Sequence, residues 1–158
     1  MRIGQSVDIH RLVADRDLIL GGVKIPYEKG LLGHSDADAL LHAIIESIIG
    51  AMGLKDIGTH FPDNDSKYEG ISSLLLLDET YKLMKENHYH LINLDSLIMI
   101  EKPKMAPYID QMRENIAKHL HCDISMINVK ATRGEGLGFV GEGLGVQAQC
   151  VCLIEEDK

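Results

Sequence analysis

An aspartate and a histidine separated by one residue, Asp8-Ile9-His10, carry the first chemistry in the chain. In an extended strand, side chains two positions apart share a face, so the carboxylate and the imidazole point the same way. Such a pair offers an oxygen and a nitrogen to zinc, whose catalytic sites typically take three protein ligands and keep one position open. The same pair also suits an ordinary hydrogen bond on an exposed strand, and the spacing leaves any third ligand unassigned. A second polar cluster, Gly33-His34-Ser35-Asp36-Ala37-Asp38-Ala39-Leu40-Leu41-His42, stands where a helix begins. Free N–H groups and the helix dipole favour an anion at such a place. His34 and Ser35 would then meet a phosphate, or in the plainer reading serve as caps. His42 follows Asp38 by four residues between Leu41 and Ala43, and those apolar neighbours favour a core histidine over an inward-facing ligand.

Two loops add further candidates. Asp56-Ile57-Gly58-Thr59-His60-Phe61-Pro62-Asp63-Asn64-Asp65 crowds carboxylates around one aromatic ring, an arrangement suited to a polyol or ribose and equally to a solvated turn stiffened by Pro62. Gly136-Leu137-Gly138-Phe139-Val140-Gly141 matches GxGxxG in its letters only. The dinucleotide fingerprint needs a helix directly after it and an acidic residue about 20 positions on, whereas this segment leads into a strand and the chain ends at Lys158. Its backbone N–H groups still suit a phosphate, with Thr132, Arg133 and Glu135 adding a hydroxyl, a cation and a carboxylate fit for Mg²⁺. A long flexible connection has the same composition. Lys102 and Lys104 around Pro103 read as a solvated pair or as an anion contact, and His88, His90, His119 and His121 as surface residues near helix ends.

The elements that must position these residues are legible from periodicity. Arg2 to His10 reads as a strand with Ile3, Val7 and Ile9 on one face and Asp8 and His10 on the other. Leu18 to Leu20 and Val23 to Ile25 flank Gly21-Gly22 as a hairpin. Ser35 with Asp38 has a capping-box pattern ahead of the stripe Leu41, Ile44, Ile45, Ile48, Ile49 and Met52, with Gly53 as the stop. Ser66 with Glu69 repeats that pattern for a second helix running to about Asn87. Leu91 to Ile100 is a strand, and Pro107 opens a third helix buried through Ile109, Met112, Ile116 and Leu120. Ile127 to Thr132 and Val146 to Ile154 complete the strands. This order predicts an α+β fold, a mixed sheet with three main helices covering one face. The last strand is apolar on both sides, Ala148, Cys150 and Cys152 alternating with Val151 and Leu153, which suggests that the other face meets further subunits.

Composition narrows the function classes. With 158 residues, 45% hydrophobic and 25% charged, the chain suits one domain, residues 1 to 158, with a core that needs no disulfide or structural metal. Sixteen Lys plus Arg against 24 Asp plus Glu give a net charge of −8, which argues against nucleic acid and anionic membrane as partners while leaving room for a local anion site. Three cysteines without CxxC spacing fit a reducing compartment. No apolar run approaches the roughly 20 residues of a membrane span, so a cytoplasmic setting is expected, or a plastid stroma after loss of a transit peptide.

Taken together, Asp8 to His10, Gly33 to Ile44, Asp56 to Asp65, Lys102 to Met105 and Lys130 to Gly143 closely resemble the 2-C-methyl-D-erythritol 2,4-cyclodiphosphate synthase family over nearly the whole chain. The resemblance implies a homotrimer with active sites between adjacent subunits and a cytidine diphosphate substrate that is cyclised with loss of CMP. It implies zinc, or another divalent transition metal, on Asp8, His10 and His42, and Mg²⁺ or Mn²⁺ near Glu135. His34, as a catalytic residue, and Ser35 would face the phosphates. Asp56, Ile57 and Gly58 would lie near the sugar-like hydroxyls, and Phe61, Pro62, Asp63, Asn64 and Asp65 around the erythritol. The cytidine pocket would comprise Ile100, Glu101, Lys102, Pro103, Lys104, Met105 and Ala106 with Ala131 and Thr132, contributed by the neighbouring subunit; Phe139 joins the substrate-binding set. Three positions depart from the family pattern. Arg133 replaces a common Thr, and its guanidinium is a candidate for stabilising developing negative charge. Glu142 stands where many members have an Arg facing the trimer's central cavity, so an isoprenoid-diphosphate site there is not carried over. Glu46 replaces a common Asp.

Overall fold

Strand β1 (Arg2–Ala14) turns its polar face inward in the computed structural model, which describes residues Met1–Lys158. Gly4, Ser6 and Leu12 are buried and Asp8 and His10 partly so, whereas Ile3, Val7 and Ile9 are exposed at 71%, 45% and 54%. The inward partner is helix α1 (Ala39–Ala51), the core of the molecule. Ten of its 13 residues are buried, and the three that are not, His42, Glu46 and Gly50, recur every fourth position as one stripe. Gly4 sets the closeness of the packing, because a Cβ there would lie 1.8 Å from the Ser47 carbonyl oxygen.

Between these two elements run the hairpin β2 (Leu18–Leu20) and β3 (Val23–Ile25) and the short strand β4 (Lys29–Leu31). Gly21 and Gly22 both take positive φ, as the predicted two-residue turn requires. β4 pairs antiparallel with the end of β1, an element too short for periodicity to reveal. After α1 come the single turn α2 (Ile57–His60), helix α3 (Ser73–Glu86), strand β5 (Tyr89–Met99), helix α4 (Ile109–His119), strand β6 (Ile127–Thr132), a single turn α5 (Gly138–Gly141) and strand β7 (Gly145–Glu156). The sheet order is β4-β1-β7-β5-β6, with β5 and β6 parallel and the other pairs antiparallel. Helices α1, α3 and α4 lie on one face, giving the α+β architecture expected.

Two expected helix starts moved. Asp38, not Ser35, caps α1: its carboxylate accepts the Leu41 N–H at 3.0 Å, and Ala37 at φ 59° leaves residues 33 to 38 as a loop. Ser66 opens only a 3₁₀ turn, capped by Asp65; Gly70 at φ 66° then breaks the chain direction, and Ser72 caps α3. The first shift has a cause in the tertiary structure. Asp and Ser compete equally well for the cap, and which of two closely spaced candidates wins depends on the neighbouring backbone, here the Gly21 and Gly22 N–H groups that also bind Asp38. The glycine-rich stretch contains the single turn α5.

The uncovered face of the sheet carries Ile3, Val7, Ile9, Leu97, Met99 and Val151, with Gln147 and Gln149 between them. Opposite them on the covered side, Val146, Ala148, Cys150, Cys152 and Ile154 of β7 are buried against α1. The last strand is thus two-sided, as its composition suggests, but only one side is buried within the chain.

Candidate active site

The non-buried stripe of α1 and the inward face of β1 run antiparallel, polar group against polar group. His42 Nδ1 lies 3.2 Å from Asp8 Oδ2, and one helical turn on, Glu46 accepts the Ser6 hydroxyl at 2.5 Å. The turn of a helix, about 5.4 Å, nearly matches the roughly 6.8 Å between alternate strand residues, so the two rows stay in step. His10 Nε2 is 2.8 Å from Asp8 Oδ2 and 3.3 Å from His42 Nδ1. One ligand atom from each of Asp8, His10 and His42 falls within 4.8 Å of the others. Sequence context had favoured a core role for His42; its apolar neighbours do enter the core, but the helix turns the imidazole itself toward β1.

The donor set fits a divalent metal. His10 Nδ1–H donates to the Leu32 carbonyl at 2.8 Å, which leaves Nε2 with its lone pair facing the cluster. Burial raises the Asp8 carboxyl, but the His10 and His42 rings at 2.8 and 3.2 Å outweigh it and hold the group at about 2. Asp8 is therefore a carboxylate near neutral pH. Two imidazole nitrogens and one carboxylate oxygen, with an open cavity beyond, form the kind of site that suits zinc.

That cavity measures about 530 Å³ and is lined by Asp8, His10, His34, Ser35, His42, Ile57, Gly58, Phe61, Pro62, Asp63 and Asn64, so most of the predicted metal, phosphate and erythritol residues come together. Asp56 caps α2, accepting the Thr59 N–H and hydroxyl, and Asp65 caps the next turn. His34 Nε2–H donates to the Asp65 carbonyl at 2.9 Å and ties the two walls. Leu32, Tyr68 and Leu76 also line the cavity without having been singled out; Tyr68 meets Phe61 edge to face at 5.7 Å. Apolar residues with no motif around them leave no signal in the sequence.

Ile100, Glu101, Lys102, Pro103, Lys104, Met105, Ala106, Ala131, Thr132 and Arg133 line a different cavity of about 510 Å³. It shares no residue with the first. It sits where β5 and β6 end, at the same end of the sheet as His10, because His10 pairs with Val146 and Met99 with the adjoining Gln147 of β7. Glu101 accepts the Gly134 N–H at 2.9 Å and so anchors the glycine-rich loop to this second cavity. Glu135 and Phe139 line neither cavity; Glu135 is exposed at φ 54°, and Phe139 packs over Gly145.

Residues outside the motifs shape the first cavity. Arg16 donates to the carbonyls of Leu31, Gly33 and Ser35 at 3.0, 3.2 and 3.2 Å. Glu46, beyond its bond to Ser6, accepts the Ile57 N–H at 3.2 Å and joins α1 to the start of α2. An isolated arginine carries no mark of such duty in sequence, and Glu46 stands out there only as a departure from the family pattern.

The model of the YgbB family matches residues 1–155. The chain is 60% identical over 156 residues to a 2-C-methyl-D-erythritol 2,4-cyclodiphosphate synthase of Clostridium novyi, covering 99% of each chain. Among solved structures it superposes on the bifunctional IspDF of Campylobacter jejuni with a TM-score of 0.94 and 38% identity, covering 98% of this chain and 42% of that longer one. It superposes on the CDP complex of IspF from Plasmodium falciparum with a TM-score of 0.87 and 34% identity, covering 99% and 97%.

Proposed function

The chain belongs to the YgbB family, and from that premise we propose how its own residues carry out the family reaction. It converts 4-diphosphocytidyl-2-C-methyl-D-erythritol 2-phosphate to 2-C-methyl-D-erythritol 2,4-cyclodiphosphate and CMP, as a phosphorus–oxygen lyase of the non-mevalonate isoprenoid pathway. An oxygen of the 2-phosphate attacks the β-phosphorus, and the bond from that phosphorus to the bridging oxygen breaks. The electron pair leaves with CMP, so no protein nucleophile and no water are consumed.

The observation that carries this reading is the Asp8, His10 and His42 cluster opening onto a cavity with His34, Ser35, Asp63 and Asn64 on its walls. Zinc held by those three residues would supply Lewis-acid polarisation of a phosphate oxygen. Ser35 Oγ accepts the Ala37 N–H at 3.2 Å, so its own hydrogen is free to donate to a phosphate, and His34 stands beside it. Gly58 leaves the cavity wall open to close approach by the erythritol, which Asp63 and Asn64 would bind through its hydroxyls, with the Phe61 ring at its carbon skeleton. Phosphoryl transfer through a loose transition state is governed by alignment and charge neutralisation, which these groups provide.

The second cavity is assigned to the cytidine. Lys102 and Lys104 give it positive charge, and Ala131 and Thr132 offer the backbone of a strand end to a base. Because the two cavities are separate within the chain, a substrate joining them calls for the second cavity of a neighbouring subunit. The uncovered apolar face of the sheet supports such an assembly, a homotrimer around that face, since patches of that kind mark interaction surfaces. Glu135, exposed at the entrance of the glycine-rich loop, would hold Mg²⁺ or Mn²⁺, which would neutralise diphosphate charge, and Arg133 would meet the negative charge that develops in the reaction. Residues 1 to 158 would act as one domain, and no helix is long and apolar enough to cross a membrane.

The purified protein with its substrate, zinc and Mg²⁺ is expected to yield CMP and cyclic diphosphate in equal amounts without release of inorganic phosphate. Hydrolysed monoesters in place of the cyclic product would make it a zinc phosphodiesterase instead, and CMP binding without turnover a nucleotide sensor. Unchanged turnover in Arg133→Ala would remove that residue from the chemistry.

A further inference from the structure

Behind His42, on the side away from the cluster, the structure holds a partly buried chain of polar groups. His42 Nε2 lies 2.9 Å from the Ser73 hydroxyl, which lies 2.5 Å from Asp36 Oδ1; the Ser73 N–H donates to Asp36 Oδ2 at 3.0 Å. Ser73 is wholly buried, in the first turn of α3, and Asp36 sits in the loop before α1. We propose that Asp36 and Ser73 are positioning residues for the metal site, fixing the tautomer of His42 so that its Nδ1 lone pair faces Asp8 and His10.

The direction of each proton follows from what the groups are able to do. A carboxylate only accepts, so the hydroxyl hydrogen of Ser73 belongs to Asp36. The Ser73 oxygen then has only lone pairs left for His42, and Nε2 must carry the hydrogen between them. Ser35 Oγ, 3.2 Å from the same Nε2, already accepts from Ala37 and takes a second share of that hydrogen. A neutral imidazole protonated at Nε2 is unprotonated at Nδ1. Reversing any link would put a hydrogen on the nitrogen that faces Asp8 and would block ligation. The chain also makes the site depend on α3, which otherwise supplies the cavity only with Leu76.

The inference rests on the reading of His42 as a metal ligand, and the experiment separates the two. Ring ¹⁵N spectra of the metal-free protein are expected to show His42 protonated at Nε2. Zinc affinity, measured by competition with a chromophoric chelator, is expected to fall by about 10- to 100-fold in Ser73→Ala and in Asp36→Ala, the usual cost of losing an outer partner of a ligating histidine. Ser72→Ala removes the cap of α3 but not the relay, and its zinc affinity is expected to stay within about twofold of the parent, since the relay and not the cap acts on the ligand. Failure of the parent protein to bind zinc would end the ligand reading. Zinc bound by the parent, with affinity unchanged in both relay variants, would overturn the relay alone. So would a His42 ring protonated at Nδ1 alone in the metal-free parent, an observation that does not depend on any variant folding.

Discussion

His42 and Glu46 stand one turn apart on α1 and face successive inward residues of β1, Asp8 at 3.2 Å and Ser6 at 2.5 Å. A single helix–strand register therefore places both the metal cluster and the bond that carries α1 to α2. Asp8→Ala or His42→Ala is expected to empty the metal site, read by elemental analysis, and to lower CMP release by about 10²- to 10³-fold, the rate equivalent of a few kcal/mol of lost Lewis-acid stabilisation. Chelation of the parent protein should reproduce the loss, and added zinc should restore it in the parent only.

Glu46→Ala leaves the Ser6 hydroxyl and the Ile57 N–H without their partner. Ser6 is buried, so a loss of about 1 to 3 kcal/mol in urea unfolding is expected. The freed start of α2 should also raise the KM, because Ile57 and Gly58 line the cavity. Glu46→Gln keeps one acceptor and should fall between the two.

Arg16 pins the loop that presents His34 and Ser35 through three carbonyl oxygens. Arg16→Ala should lower kcat/KM by about tenfold or more, a size set by hydrogen bonds from a charged donor at about 1.5 to 3 kcal/mol each, reduced by partial exposure. Zinc content should stay at the parental level, because none of these carbonyls belongs to a ligand residue. Loss of zinc in this variant would show that Arg16 supports the cluster as well as the loop.

Burial pushes the Cys150 thiol up to about 12 and raises Cys152 and Cys122 as well. At mildly alkaline pH all three are neutral thiols, and only thiolates react. Ellman's reagent should leave Cys150 and Cys152 untouched in the native protein and modify the half-buried Cys122 slowly. Three free thiols should appear at once in guanidinium.

Asp157 ties the C-terminus to α3 and β5, accepting from Lys85 at 2.8 Å and from His90 at 2.7 Å. These hydrogen bonds hold its carboxyl below the ordinary 3.8. Since the folded value is the lower one, the stabilisation is present above 3.8 and is lost as pH falls through the folded value. Asp157→Asn should therefore melt slightly below the parent at neutral pH, with the two melting curves converging in strong acid. A gap of constant size across that range would assign the effect to packing and not to charge.

Local pattern was enough for the elements that repeat. The period of two in β1 set Asp8 beside His10, and the apolar stripe of α1 set the core helix, because backbone geometry alone dictates which side chains share a face. The hairpin at Gly21-Gly22 and the strand Ile127–Thr132 were legible for the same reason. The cap positions were not, since Ser35, Asp38, Ser66 and Ser72 are all chemically competent and the choice falls to contacts made at a distance.

What the order of residues settled in this protein is a set of ligands and loops on known elements, together with a family likeness carried by five blocks. What only the folded chain decided is how those pieces face one another. His42 became the third member of a metal cluster because α1 lies across β1 in one register, and it acquired a defined tautomer because α3 brings Ser73, 31 residues away, to its far nitrogen. Period two could show that β1 has two unlike faces, but not which is inward. The polar face is, since α1 packs there through Gly4 and matches its hydrogen bonds, leaving Ile3, Val7 and Ile9 as the surface on which other subunits can be received.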